Sequence, residues 1–179
     1  GDVYKRQVYV RLNYDNAGHT SLLRISDGTE VRSDGHALNV GHNDDGDRYG
    51  SLQATNVTFT SLDEDGTWPG IVFHNNSRDG THSLASYLDG CIIENATDGV
   101  YAVSSHPVLT NGTFRNNVDG VDADDGAMPE ITNNTFEGNT RPISVYAARI
   151  DSTIYGITYV DNIKDYIEVQ GDEFGNGTY

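Results

Sequence analysis

The chain has 179 residues, room for one domain with a continuous core. Its net charge is −16; Asp outnumbers Glu 20 to 7, and Lys occurs only at Lys5 and Lys164. So acidic a surface repels nucleic acid and anionic lipid, and the sequence has no basic cluster to offset it. The single cysteine, Cys91, excludes an intrachain disulfide framework, and no apolar run reaches the length of a membrane-spanning helix.

At the N-terminus, Asp2-Val3-Tyr4-Lys5-Arg6-Gln7 resembles the translation of a transposase end sequence used in sequencing libraries. Residues 1–7 are therefore expected to be a non-native, sequencing-derived segment, and 8–179 a single domain belonging to a longer chain. Short extended signals follow at Val8-Tyr9-Val10-Arg11-Leu12, Leu22-Leu23-Arg24-Ile25, Glu30-Val31 and Ala37-Leu38-Asn39-Val40. Turn clusters at Ser26-Asp27-Gly28 and Ser33-Asp34-Gly35 separate them, and residues 41–50 read as a polar loop. Asn56-Val57-Thr58-Phe59 reads as a strand whose counterpart at Ile93 lies 34 residues on. That gap predicts one coil with an insertion, assigned to 60–83, within a region of regular coils over 51–170.

The second half repeats itself. Leu88-Asp89-Gly90-Cys91-Ile92-Ile93, Leu109-Thr110-Asn111-Gly112-Thr113-Phe114, Ile131-Thr132-Asn133-Asn134-Thr135-Phe136 and Ile154-Tyr155-Gly156-Ile157-Thr158-Tyr159 align, with last residues 21, 22 and 23 apart. This period is too short for paired helices, and its β-branched, aromatic, Asn and Gly residues predict a solenoid with one coil per repeat. A second strand is in register at Asp98-Gly99-Val100, Asp119-Gly120-Val121, Arg141-Pro142-Ile143 and Asp165-Tyr166-Ile167. Alternation assigns four inward columns. They are Cys91/Gly112/Asn134/Ile157, Ile93/Phe114/Phe136/Tyr159, Val100/Val121/Ile143/Ile167 and Ala102/Ala123/Val145/Val169. Cys91 is then a small core residue rather than a nucleophile. Asn117, Asn139 and Asn162 fall three residues after each aromatic, where the chain must turn. They are expected to take left-handed backbone angles and to form an amide ladder with an apolar step at Ala96.

The pattern Leu/Ile-x-Asn-x-x-Phe-x-x-Asn followed by Asp-Gly-Val resembles the repeat of pectate-lyase-like proteins, over roughly residues 84–170. The resemblance implies an all-β right-handed parallel β-helix, here of about six coils. Thr58-Phe59-Thr60-Ser61 with Thr67-Trp68-Pro69-Gly70-Ile71-Val72-Phe73 is similar to a segment of bacterial and archaeal surface β-helix proteins. Pro69 departs from the glycine pair that usually follows that Trp. The resemblance specifies fold far better than chemistry.

Outward positions should form ladders across coils. Asp98, Asp119, Arg141 and Asp165 share one column, with Arg141 between two carboxylates; Glu94, Arg115 and Glu137 alternate in another. Tyr101, Asp122, Ser144 and Glu168 form a further column, flanked by Val103, Asp124, Tyr146 and Gln170. Tyrosines beside acids on a flat sheet suit sugar rings, so Tyr101, Asp122, Asp124, Ser144, Tyr146 and Glu168 are the expected binding residues. Asp122, Asp124 and Asp125 are candidates for Ca²⁺ ligation and weaker ones for glycosidase chemistry, although the Asn-Thr-Asp and Gly-His-Gly signatures of polygalacturonases are absent. The six histidines show no zinc or catalytic spacing. Asp63-x-Asp65-Gly66 lacks the downstream acid of a Ca²⁺ loop, and Trp68 is read as a loop anchor ahead of a sugar platform. Six glycosylation sequons occur, several of them products of the repeat.

The expectation is a non-catalytic glycan-binding or adhesive module, extracellular or on the cell surface. Its partner would be a polysaccharide or cell-surface glycan, without nucleic acid or membrane insertion. A polysaccharide lyase or glycoside hydrolase is the alternative, and a structural spacer the third. The Asp-rich, Lys-poor composition also fits solubility in high salt, as in a halophilic source.

Overall fold

The computed structural model describes residues 20–41, 49–63, 66–80, 83–124, 126–146 and 153–171. The expected strand Val8–Leu12 lies outside them. Each turn of chain lays down three short strands. The first coil holds β1 (Thr20–Ile25), β2 (Glu30–Ser33) and β3 (Leu38–Val40); the second β4 (Tyr49–Thr55), β5 (Thr58–Ser61) and β6 (Trp68–Phe73). The third holds β7 (Tyr87–Asp89), β8 (Ile92–Glu94) and β9 (Ala96–Val103); the fourth β10 (Val108–Thr110), β11 (Thr113–Arg115) and β12 (Asp119–Asp124). The fifth holds β13 (Glu130–Thr132), β14 (Thr135–Glu137) and β15 (Arg141–Tyr146); the sixth β16 (Ile154–Tyr155), β17 (Thr158–Val160) and β18 (Ile167–Gln170).

Every third strand pairs, giving three six-stranded sheets ordered β1-β4-β7-β10-β13-β16, β2-β5-β8-β11-β14-β17 and β3-β6-β9-β12-β15-β18. All the pairings are parallel. This is the all-β solenoid of about six coils that the repeat predicts. Each aligned six-residue segment, however, is two strands around a corner, so the coil has three sides. The corner residue is left-handed in every coil: Gly28, Asn56, Gly90, Asn111, Asn133 and Gly156, with φ between 52° and 73°. Asn and Gly tolerate that region best. Glycine has a second reason here, because a Cβ at Gly90 would lie 2.3 Å from Asn56 Oδ1, and one at Gly156 the same distance from Asn133 Oδ1.

The second corner corrects one expectation and bears out another. Its left-handed residues are Asn95, Asn116, Gly138 and Asp161, each one place before the position expected. The following residues, Asn117, Asn139 and Asn162, point inward instead and form the ladder. Asn117 Oδ1 accepts from Ala96 N at 2.9 Å, Asn139 Oδ1 from Asn117 N at 3.0 Å and Asn162 Oδ1 from Asn139 N at 2.9 Å. In return each amide donates to the coil before: Asn117 Nδ2 to Ile93 O, Asn139 Nδ2 to Phe114 O and Asn162 Nδ2 to Phe136 O. Asn134 does the same at the first corner, between Gly112 N and Leu109 O. Backbone groups buried at a corner, away from any sheet partner, are thus satisfied.

Between the corners lies a dry core. Phe59, Ile93, Phe114 and Phe136 are fully buried and in register, with Val31 and Tyr159 at the two ends of the file. The Phe114 and Phe136 rings stack at 4.9 Å and 11°. The remaining files run Leu88, Leu109 and Ile131; Ile71, Val100, Val121 and Ile143; and Phe73, Ala102, Ala123 and Val145. The first of these, on the opening sheet, completes the third side. Val169, the expected end of the last file, is 43% exposed, because a coil is covered only where a neighbour lies on both sides.

The extra length of the second coil falls in two places. Trp68–Phe73, inside the expected insertion 60–83, is a sheet strand, and the extra residues fall on either side of it, between β5 and β6 and between β6 and β7. Just before β7 the chain lies against the first sheet, where Gln53 Nε2 donates to Ala85 O and Ser86 Oγ accepts from Leu52 N.

Phe114→Ala removes the middle of the aromatic file and is expected to cost about 3–5 kcal/mol. Asn139→Ala strands the Asn117 amide and the Phe114 carbonyl, for about 1–3 kcal/mol. Urea denaturation of both variants against the parent checks these values; a neutral Asn139→Ala would remove the ladder from the account of stability.

Candidate functional site

The outer face of the third sheet gathers the predicted site residues. The local cause is a bulge: Gly70 pairs with Asp98, whereas Ile71 pairs with Val100. One residue of β9, Gly99, is left over and turns inward beside Val100, so Asp98 faces out on the same side as Tyr101. The same step recurs at Gly120, where a Cβ would meet Pro142 O at 2.4 Å and the Phe136 ring at 2.5 Å. Asp-Gly-Val in the sequence therefore encodes an outward acid, a backbone pressed on an aromatic ring, and a core residue.

Register then stacks the outward side chains as expected: Asp98, Asp119 and Arg141 in one row, and Tyr101, Asp122, Ser144 and Glu168 in the next. Val103 pairs with Asp124, and Tyr146 with Gln170. Asp98, Asp119 and Asp122 each bring one oxygen within 4.8 Å of the other two. Three carboxylates so close must be compensated. Arg141 does this with a bidentate pair to Asp119, Nε to Oδ1 and Nη2 to Oδ2, which buries Asp119. Its other contact is Glu168 at 3.7 Å, in place of the Asp165 expected; Asp165 instead accepts from Asn162 Nδ2. Glu168 in turn takes Lys164 Nζ at 2.5 Å, and that hydrogen bond holds its carboxyl below the usual range.

The remaining carboxylates feel the crowding. Burial, then the charges of Asp119 and Asp122, push Asp98 up to about 6. Burial also raises Asp122, opposed by a hydrogen bond with Ser144. Oδ1 of Asp122 is buried without a hydrogen-bond partner. Ser144, beside Asp122 in the same outward row, is itself fully buried and accepts from Gln170 Nε2 at 2.5 Å, so it positions Asp122 from the next coil. Tyr101 donates to Asp124 Oδ2 at 3.4 Å, and its hydroxyl is raised by burial and by that carboxylate.

Of the Asp122, Asp124 and Asp125 set, the first two sit two places apart on β12, and Asp125 lies outside the described residues. The trio that does converge contains Asp98 and Asp119 instead, residues that pattern reading had placed in a different column. The bulge that unites the columns has no signature beyond the glycine. Carboxylate oxygens are the donors Ca²⁺ takes, and in this trio both oxygens of Asp119 also accept from Arg141.

Other sequence candidates are structural. Trp68 is buried and donates from Nε1 to Glu94 O at 2.9 Å, fastening β6 to the third coil. Arg115 pairs with Glu94 at 2.5 Å. His106 engages Asp79 Oδ2 at 2.8 Å with both its ring and its backbone N, tying Asp79, which follows β6, to the third coil. His19, His42 and His82 lie outside the described residues. Cys91 is buried, and burial pushes its thiol up. Four sequon residues, Asn56, Asn95, Asn111 and Asn133, are left-handed corners, which explains their spacing. No helix among the described residues is long and apolar enough to cross a membrane.

The parallel ladders, the coil of three strands and the Asn corners point to one architecture, and comparison with family models agrees: the model of the right-handed β-helix region matches residues 56–174. The chain belongs to the right-handed β-helix family. No match to a curated protein or to a solved structure is found. The right-handed β-helix places no chemistry by itself, so function must be argued from the third-sheet face.

Asp98 yields a pH signature with a definite sign. Its unfolded-state carboxyl titrates near 3.8 and its folded one at about 6, so between these values the folded state holds the extra proton. Stability should therefore fall as pH rises from about 4 to about 6 and then level off. Asp98→Asn should remove that fall, its advantage over the parent growing across the window. Urea midpoints measured against pH check it; parallel profiles for the two proteins would contradict the assignment.

Proposed function

We propose that this β-helix is a non-catalytic, glycan-binding module of a secreted or cell-surface protein. A polysaccharide or surface glycan lies across the outer face of the third sheet. The observation that supports this is the makeup of the face: Tyr101 and Tyr146 on neighbouring rows with Asp122, Asp124 and Glu168, held by parallel register on a rigid scaffold. Aromatic rings stack on the apolar faces of sugars, and fixed carboxylates accept from their hydroxyls. Rigid scaffolding limits the entropy lost on binding.

One observation favours the alternative of a polysaccharide-active enzyme: an Asp98 carboxyl raised to about 6 has the property of a general acid. Against it stand the engagement of Asp119, both of whose oxygens are held by Arg141, and the absence of the Asn-Thr-Asp and Gly-His-Gly signatures of polygalacturonases.

Affinity electrophoresis in gels cast with neutral, acidic and amine-bearing polysaccharides tests the reading, alongside an assay for released sugar ends. Retardation without product is expected, and Tyr146→Ala should weaken it roughly three- to tenfold with melting unchanged. Product abolished by Asp122→Ala or Asp124→Ala would establish the enzyme instead. Neither retardation nor product would leave a structural spacer.

A further inference from the structure

We propose that Asn111–Gly112 is a latent modification site, held inert while the fourth and fifth coils are stacked, deamidated when they part at this corner, and opposed to restacking afterwards. Asn followed by Gly is the sequence most open to this reaction, because a residue without a Cβ leaves its backbone N room to reach the Asn side chain. Gly112 N attacks Asn111 Cγ, and the new N–Cγ bond closes a five-membered succinimide ring. The Cγ–Nδ2 bond breaks, and Nδ2 leaves as ammonia with the proton that Gly112 N gives up. Water then opens the ring to aspartate or isoaspartate. Among the described residues this is the one Asn-Gly pair, and Asn111 stands exposed at a left-handed corner.

The fold closes the reaction from both sides of the corner. Gly112 is buried, and its N–H donates to Asn134 Oδ1 of the fifth coil at 2.7 Å. Asn111 N donates to Thr132 O of the fifth coil at 3.1 Å, and Thr113 N to Cys91 O of the third at 2.8 Å. The attacking nitrogen must shed its proton and swing toward Asn111 Cγ, so it must first leave Asn134. That side chain cannot follow it, being 1% exposed and tied through Nδ2 to Leu109 O at 2.8 Å. Asn111 Nδ2 in turn donates to Asp89 Oδ1 of the third coil at 2.8 Å. Exposure of the target side chain is therefore not enough, and the reaction waits on a local opening between coils. The product then resists the return. A carboxylate at position 111 would face Asp89 where an amide donor stood, and like charges directly opposite are destabilising. Isoaspartate also lengthens the main chain by one atom, at a corner whose three successive N–H groups serve two coils.

Peptide mass mapping after incubation in mildly alkaline buffer tests this, because the peptide that holds Asn111 gains mass on deamidation. In the folded parent Asn111 should react at least roughly tenfold more slowly than in urea above the unfolding midpoint. Equal rates would overturn the proposal, and that comparison needs no variant. Asn134→Ala, with its fold checked by circular dichroism, should speed the reaction at Asn111 roughly tenfold by releasing Gly112 N. Asn134→Ser, too short to reach Gly112 N, stands in where the alanine variant does not fold. Asn139→Ala is the control: it removes the equivalent pair of hydrogen bonds at the second corner of the same two coils and leaves Gly112 bound to Asn134. It should speed Asn111 less; equal acceleration would assign the protection to overall stability and overturn the local gate. Asn111→Asp carries the aspartate product and should unfold at a lower urea concentration than the parent. An unchanged midpoint would overturn the claim that modification opposes restacking.

Discussion

A solenoid of three-residue strands has corners, and at each corner the backbone turns out of its sheet while still buried. An amide N–H left there without a partner costs about 1–3 kcal/mol. In this protein the inward Asn amides resolve the problem by acting along the axis. Asn139 accepts from the backbone of Asn117 in the coil before it, donates to Phe114 O in that same coil, and hands its own N–H to Asn162 of the coil after. Each coil completes its neighbour's hydrogen bonds. That requirement holds the register, because a slip of one residue would break every such bond and turn the core files outward.

Register, once held, decides the packing. Equivalent residues lie above one another, so one hydrophobic position repeated at each coil becomes a continuous file, as Phe59, Ile93, Phe114 and Phe136 do. The same rule explains why burial weakens at Ile154, Ile157, Tyr159 and Ile167 in the last described coil, which has one neighbour among the described residues. Stability in such an array is built from contacts between adjacent coils, so what one coil contributes depends on its neighbours.

Stacking is favourable for apolar side chains and amides and unfavourable for charges of one sign. The third-sheet face shows the conflict: Asp98 and Asp119 fall one above the other, Asp122 joins them through the bulge, and Arg141 on the next coil relieves them. Raised carboxyls remain at Asp98 and Asp122. A chain this acidic had many positions for an arginine, and the one at Arg141 stands where the register crowds carboxylates most. The face that carries this tension is the one that also holds Tyr101 and Tyr146.

Much of this was legible in the residues. Intervals of 21, 22 and 23 residues specify one coil per repeat, the apolar positions specify the files, and the Asn three places after each aromatic specifies the ladder. These are readable because a solenoid turns sequence period directly into spatial neighbourhood. The three-sided cross-section was not legible, since a strand of three residues is too short for alternation to mark its ends and the left-handed corner at Asn111 or Asn133 looks like any other Asn. Nor was the meeting of Asp98 with Asp122, or the turn of Arg141 toward Glu168 in preference to Asp165. Those depend on a bulge of one residue and on side-chain reach between coils, distances that only the folded chain decides.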